Sequence, residues 1–400
     1  MTHQQRVARN PRLLFWARAF IEIKALSAVI VLFYLHRGLV LDQIFWLSIV
    51  WSLTALVTEI PSGYLADRIG RKATLLIGAG LLALVHVGDW FAHGFWQFSL
   101  VFVLMSAAFS FFSGTEEAML YESLLELGKE RDTTQKSSHL FCARSLFKIA
   151  MPFIGVWVAQ DLLEWQFRIL ISMNALALFL ACLCLVQLRE PRHRIDISEM
   201  EIGIFQQSLQ TIAHHPWLIR LCLNRLLVFV GVFIAWRISQ PLLMSEGLSV
   251  GWLGVFDAGG YLFLFLGSWL VGKTAHRWRV SKVIFLTALL TSGCLAIAAV
   301  SHIPWILFIA LWSAIAVGSV REPLFSQMVN ARVQSRSRAT TLSNLNVLKS
   351  LMDIPVLLFT GYLAMQDLHY PLIMSFFLCL SAIIFFPVRE NQPVFRVETS

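Results

Sequence analysis

The sequence predicts an all-α integral membrane protein built from twelve transmembrane helices in two pseudo-symmetric six-helix bundles. Three observations predict it: charge is scarce, apolar runs are long and numerous, and a single polar stretch divides those runs evenly. Of the 400 residues, 57% are hydrophobic and 14% charged, and the mean hydropathy is +0.69, whereas a soluble domain is about half apolar and a quarter charged. A helix needs about 20 mainly apolar residues to cross a hydrocarbon core of roughly 30 Å. Twelve such spans occur, at 13–36, 43–66, 73–92, 97–121, 139–162, 166–188, 216–243, 251–272, 282–301, 304–329, 340–365 and 370–388. Span 1 is long and runs on into span 2, so it reads as a retained helix and not as a cleaved signal peptide.

The polar stretch "REPRHRIDISEMEIGIFQQSLQTIAHHP" sets the domain plan: a first bundle at 1–188, a cytoplasmic central loop at 189–215, and a second bundle with a short cytoplasmic tail at 216–400. Ile202 to Ala213 within the loop has the pattern of a short amphipathic helix at the membrane surface.

A net charge of +8 would suggest nucleic acid in a soluble protein, but here its placement carries the information. Lys and Arg gather in alternate loops, at Arg6, Arg9 and Arg12, at Arg68, Arg71 and Lys72, and onward to Arg389, while the other side holds little beyond Arg37 and Arg168. The positive-inside rule makes the first side cytoplasmic, with both termini on it. The six cysteines all lie inside spans, with no C-x-x-C spacing, and read as small apolar residues. The absence of an N-x-S/T sequon and the short outer loops favour a bacterial inner membrane.

The two bundles echo one another. "GYLADR" at Gly63 returns as "GKTAHR" at Gly272, Gly114 and Glu117 return as Gly318 and Arg321, and Arg144 returns as Lys349. Such internal repeats, with a site at the midplane between them, are a common build of secondary transporters.

Ionisable residues inside a membrane cost a few kcal/mol or more and face protein or a wet cavity. Here they fall on span 1 (Arg18, Glu22, Lys24), span 4 (Glu116, Glu117), span 5 (Arg144, Lys148), span 7 (Arg225, Arg237), span 8 (Asp257), span 10 (Arg321, Glu322) and span 11 (Lys349, Asp353), with His86 and Asp89 on span 3 as departures near the outer surface. Depth suggests Glu117 with Arg144, Arg321 with Asp353, and Arg237 with Asp257 as partners. Lys24 and Arg225 have no obvious partner in the sequence, and cations facing a cavity suit an anionic or zwitterionic ligand. Trp46, Trp90, Trp96, Trp165, Trp252 and Trp305 sit near outer span ends as an interfacial belt. Trp236 and Tyr121 are placed to stack on a substrate.

Between spans 2 and 3 stands "GYLADRIGRK", and here the sequence resembles the major facilitator superfamily. The signature G-x-L-A-D-R-x-G-R-K is present as Gly63, Leu65, Ala66, Asp67, Arg68, Gly70, Arg71 and Lys72. The resemblance covers the whole chain and implies a twelve-helix facilitator. It implies that spans 1, 4, 7 and 10 line the cavity and that spans 3, 6, 9 and 12 face lipid. It further implies that Asp67 contacts the start of span 11, at Arg338 in "RATTLS", and that a motif arginine pairs with an acid at the inner end of span 4, matched here by Glu122. Together these would form a cytoplasmic gate. The glycine-rich antiporter signature of span 5 survives only as "MPFIG" from Met151 to Gly155, and sugar-porter signatures are absent.

No H-E-x-x-H, G-x-x-x-x-G-K-[ST] or G-x-S-x-G occurs, so the expectation is a carrier and not an enzyme, with no cofactor, no metal and no nucleic acid. The reading is a monomeric secondary transporter of a small organic solute by alternating access, coupled to protons, and exporting an amphipathic or anionic metabolite. Glu22 ranks first as proton carrier, then Glu116 or Glu117, then Asp257. The alternatives are a proton-driven importer of an organic anion and a lipid flippase.

The topology has a direct test. A cysteine placed at Ser198 is shielded from impermeant thiol reagents in whole cells, whereas one at Gly94 is labelled; labelling at Ser198 before lysis would contradict the twelve-span arrangement.

Overall fold

The computed structural model describes residues 2–129, 132, 136, 140, 147–192, 216–274, 279–321, 324, 325, 328 and 353–388. All regular secondary structure among the described residues is helical. The elements are α1 (His3–Val7), α2 (Asn10–Ile21), a 3-10 turn (Ser27–Val29), α3 (Ile30–His36), α4 (Leu41–Ile69), α5 (Arg71–Phe91), α6 (Gly94–Phe112), α7 (Thr115–Glu126), α8 (Met151–Val158), α9 (Glu164–Gln187), α10 (Pro216–Ser245), α11 (Val250–Thr274), α12 (Val280–Val300), α13 (Pro304–Ser319), α14 (353–366) and α15 (Tyr370–Ile384). Two compact units result, one of residues 1–199 with 250–258, the other of 200–249 with 259–400. In the first, α5 and α4 pack on α6, and α9 packs on α2 and α5; in the second, α10 and α12 pack on both α13 and α15.

Burying apolar side chains gains little when the surrounding solvent is itself apolar, so helices in lipid associate through close packing and hydrogen bonds. The α4–α6 contact shows this. The Ser106 hydroxyl donates to the Trp51 carbonyl (2.8 Å), Thr58 Oγ1 and Ser110 Oγ lie 2.8 Å apart, and Ser62 Oγ is 3.0 Å from the Ser110 carbonyl. Spans 3, 6, 9 and 12 leave large apolar side chains exposed at helical spacing, as with Leu176, Phe179, Leu183 and Val186 on α9. That is a surface for acyl chains. Trp46, Trp96, Trp165, Trp252 and Trp305 of the expected belt are all exposed.

Two spans that read as continuous apolar runs are broken. Span 1 stops being helical after Ile21, and Glu22 to Leu26 form an irregular link to the 3-10 turn. Span 4 breaks at Ser113 and Gly114, where Gly114 adopts a φ of 70°. A hydropathy window registers composition and is blind to such breaks. At membrane depth they are tolerated only where protein or a wet cavity answers the backbone. In span 1 the Ala25 N–H donates to Asn174 Oδ1 on α9 (2.9 Å). Gly155 on α8 lets the link come close, since a Cβ there would lie 2.1 Å from the Ala25 carbonyl oxygen.

Gly155→Ala therefore has to push its new methyl group against the Ala25 carbonyl. We expect a loss of about 1–3 kcal/mol of stability, read as a lower unfolding midpoint in detergent, whereas Ala at Gly80, where an added Cβ meets nothing within 4 Å, costs far less.

Candidate functional site

The break in span 1 gathers charge. Glu22 caps the C-terminus of α2 and is buried. Its Oε1 receives Arg18 Nη2 at 2.5 Å, and Arg18 Nη1 lies 3.3 Å from Glu116 Oε1. Its Oε2 is approached by Lys24 Nζ at 3.6 Å and Lys148 Nζ at 3.4 Å. The chain builds this locally: Arg18 and Glu22 share a helix face at i, i+4, and the irregular backbone after Glu22 turns Lys24 back toward it. Glu116 lies in the first turn of α7, created by the break in span 4, where a carboxylate is favoured by the helix dipole. Arg18 and Glu116 are buried, whereas Lys24 and Lys148 keep 46% and 32% of their side chains accessible. Lys24 also stands over the Phe109 ring at 4.9 Å. The cluster thus joins three cations to two carboxylates, with the lysines as its open face.

A second network sits where α2 begins and α9 ends. Gly70 adopts a φ of 101° and separates α4 from α5, a conformation open to glycine and costly for other residues. Arg71 Nη1 meets Asp67 Oδ1 at 2.6 Å, while Nη2 and Nε reach Glu122 Oε1 at 3.1 and 3.2 Å. Glu190 accepts from the backbone N–H groups of Arg71 (2.7 Å) and Lys72 (2.9 Å), a carboxylate seated on a helix N-terminus. Lys72 Nζ donates to the Val186 carbonyl at 2.6 Å. Arg71 and Glu122 are buried, Asp67 and Lys72 half-buried, and Gly63 and Arg68 exposed. Asn10, close by, donates to Ser123 Oγ (2.9 Å) and the Arg189 carbonyl (2.7 Å).

The second unit repeats the amide device. Asn224 on α10 donates to the carbonyls of Ala382 (2.8 Å) and Phe386 (2.9 Å), and its Oδ1 accepts from Arg321 Nη2 at 2.6 Å. Arg321, which the sequence placed among the cavity charges, is fully buried and stands over the Phe325 ring. Arg237 is buried beside Trp236 and Phe233, 5.5 and 5.7 Å from their ring centres. Asp257 and Asp353 are buried, Arg225 is half-buried, and Glu117 is exposed while its neighbour Glu116 joins Arg18. Arg144, Glu322, Arg338 and Lys349 lie outside the described residues.

The sequence profile of the Major Facilitator Superfamily matches residues 17–354. The chain belongs to this superfamily. Its fold is similar to that of the nucleoside transporter NupG (TM-score 0.78, 12% identity, covering 96% of this chain and 99% of that one). It is also similar to a bacterial homologue of the human lysosomal transporter Spinster (0.74, 14%, 96% of each) and to a D-xylose–proton symporter (0.68, 14%, 96% and 98%). No curated protein matches the sequence. At such identities the likeness shows the twelve-helix facilitator fold, and the chain is a multi-pass membrane protein of a transporter superfamily.

Within this facilitator, sequence reasoning missed Glu190, Asn174, Asn10 and Asn224, and named Arg18 and Lys148 without placing them in the site. A lone amide in an apolar run was the available signal for Asn174 and Asn224. Glu190 gave none, since it opens a polar loop where charge is ordinary.

Removing one member of a buried ion pair costs about 3–5 kcal/mol, because the other is left uncompensated. Arg71→Met should lose stability in that range, with much of it recovered in the double variant Arg71→Met/Glu122→Leu, while Asp67→Asn costs under about 1 kcal/mol, as befits a partly exposed pair. Chemical unfolding in detergent distinguishes the three.

Proposed function

We propose that this facilitator is a secondary active transporter that moves a small organic anion by alternating access, with Glu22 carrying a coupled proton. The observation that supports this best is that Lys24 and Lys148 approach the same oxygen of Glu22. An anion drawn to the two ammonium groups competes with Glu22 for them, and a proton on Glu22 releases them. Each ligand therefore favours the other, by a reciprocal coupling of binding free energies. Arg18 holds the opposite oxygen of Glu22, so the carboxyl group keeps its place while its lysine side exchanges. Sequence alone ranked export first; co-binding of proton and anion is the linkage of a symporter and favours the proton-driven importer. Phe109 beneath Lys24 suits a solute with an apolar part beside its anionic group.

With the basic loops cytoplasmic, as the positive-inside rule places them, the Asp67–Arg71–Glu122 network lies at the inner end of the first bundle and acts as a gate. It ties α4, α5 and α7 within the first bundle, while Arg338, the partner expected for Asp67 from the start of span 11, lies outside the described residues.

The test is uptake by proteoliposomes offered a panel of mono- and dicarboxylates, with and without an imposed proton gradient. Wild type concentrates one of them when the gradient is present. Glu22→Gln still equilibrates that solute but fails to concentrate it. Undiminished gradient-driven accumulation in Glu22→Gln would remove Glu22 as proton carrier, and indifference of wild type to every anion would overturn the substrate class.

A further inference from the structure

The second unit carries a group of side chains that lies apart from the charge cluster at Glu22. Glu246 follows the last turn of α10, His302 lies between α12 and α13, and His369 precedes α15. The three come from three separate connections at one end of the unit. His302 Nδ1 lies 3.2 Å and His369 Nε2 3.3 Å from Glu246 Oε1, and the two imidazole ring centres are 4.5 Å apart.

Backbone geometry fixes each position. Gly247, with a φ of 92°, ends α10, and the N–H groups of Gly247 and Leu248 donate to the carbonyls of Met244 and Leu243 (3.1 and 3.0 Å). The His369 N–H donates to Asp367 Oδ1 at 2.7 Å, and its carbonyl accepts from Leu372 and Ile373 (3.0 and 3.1 Å). His369 is buried, Glu246 keeps 20% of its side chain accessible, and His302 keeps 72%. The group is thus anchored at its base and open at one side. Burial pushes the Glu246 carboxyl up, but hydrogen bonds from His302 and His369 and their charge outweigh it and hold it below the ordinary value.

We infer that Glu246, His302 and His369 form a binding site for a divalent transition-metal ion, zinc above all, with a fourth position open to solvent. Two imidazoles and one carboxylate make a three-ligand set that zinc takes in tetrahedral geometry. Metal–ligand bonds of about 2.0–2.2 Å at a tetrahedral centre put ligand atoms roughly 3.3–3.6 Å apart. The two histidine-to-glutamate separations, 3.2 and 3.3 Å, lie at the short end of that spacing, and all three ligand atoms fall within 4.8 Å of one another. The exposed His302 can close the remaining gap by turning about its own side chain. His302 binds through Nδ1 and His369 through Nε2, each as neutral imidazole, so the ion displaces the hydrogens these nitrogens share with Glu246. Zinc would then tie the end of α10 to the connections preceding α13 and α15. In the proposed topology these are outer loops, and the ion comes from outside the cell. Magnesium and calcium, which take oxygen ligands, are not expected to bind.

The experiment uses full-length protein in detergent, carrying no polyhistidine tag, with zinc binding followed by competition against a chromogenic chelator. Wild type is expected to take up one zinc ion per chain and to gain thermal stability when saturated, because an ion that binds only the folded state stabilises it. His302→Ala and Glu246→Gln are each expected to weaken binding by about tenfold or more, the scale on which metal-site groups act, and to lose the thermal shift. Because His302 is exposed, His302→Ala should keep the metal-free unfolding midpoint of wild type, which separates loss of a ligand from loss of fold. No zinc uptake by wild type, wild-type affinity retained in both variants, or equal stabilisation by magnesium would overturn the assignment.

Discussion

Everything distinctive in this chain depends on one constraint: inside a bilayer there is no water to answer a free backbone group or an isolated charge. Helix α2 ends at Ile21, in the middle of a run that composition alone would carry through as one helix. The break stands because Asn174 takes the Ala25 N–H and Gly155 yields the space for the Ala25 carbonyl. The same few residues that break the helix bring Glu22, Lys24 and Arg18 together with Lys148 and Glu116. Irregular backbone and clustered charge are therefore one feature, each giving the other its reason to be at that depth.

Helix ends obey the same constraint. Glu190 seats its carboxylate on the N-terminus of α5. Asn10 and Asn224, one in each unit, bind carbonyls of the chain that follows or ends the sixth helix of their unit. Arg37, one of the few cations on the sparsely charged side, is buried among the Ala92 and Trp90 carbonyls (3.0 and 3.3 Å) and Glu164 (2.8 Å). The charge is kept there because it satisfies the C-terminus of α5. A guanidinium suits that work, offering several donors in a fixed plane.

Between these fixed points the cluster at Glu22 has a firm side and an open one. Arg18 holds one carboxylate oxygen at 2.5 Å and reaches on to Glu116, while the lysines approach the other at 3.4 and 3.6 Å from positions with substantial access. Longer contacts made by flexible, accessible side chains are the ones a solute can replace at small cost.

The sequence by itself determined the helical class, the twelve-helix architecture and the superfamily. Hydropathy, Lys and Arg placement and "GYLADRIGRK" are one-dimensional properties of runs and loops, and they survive without knowledge of contacts. The pairing of a motif arginine with Glu122 was legible too, through resemblance, though Arg71 and not its neighbour Arg68 makes it. What only the tertiary structure decided was where helices stop inside an apolar run, which of Glu116 and Glu117 turns inward, that Arg321 serves Asn224, and that Glu246, His302 and His369 meet. These depend on neighbours more than 50 residues distant in the chain, and no local propensity registers a partner brought close only by packing.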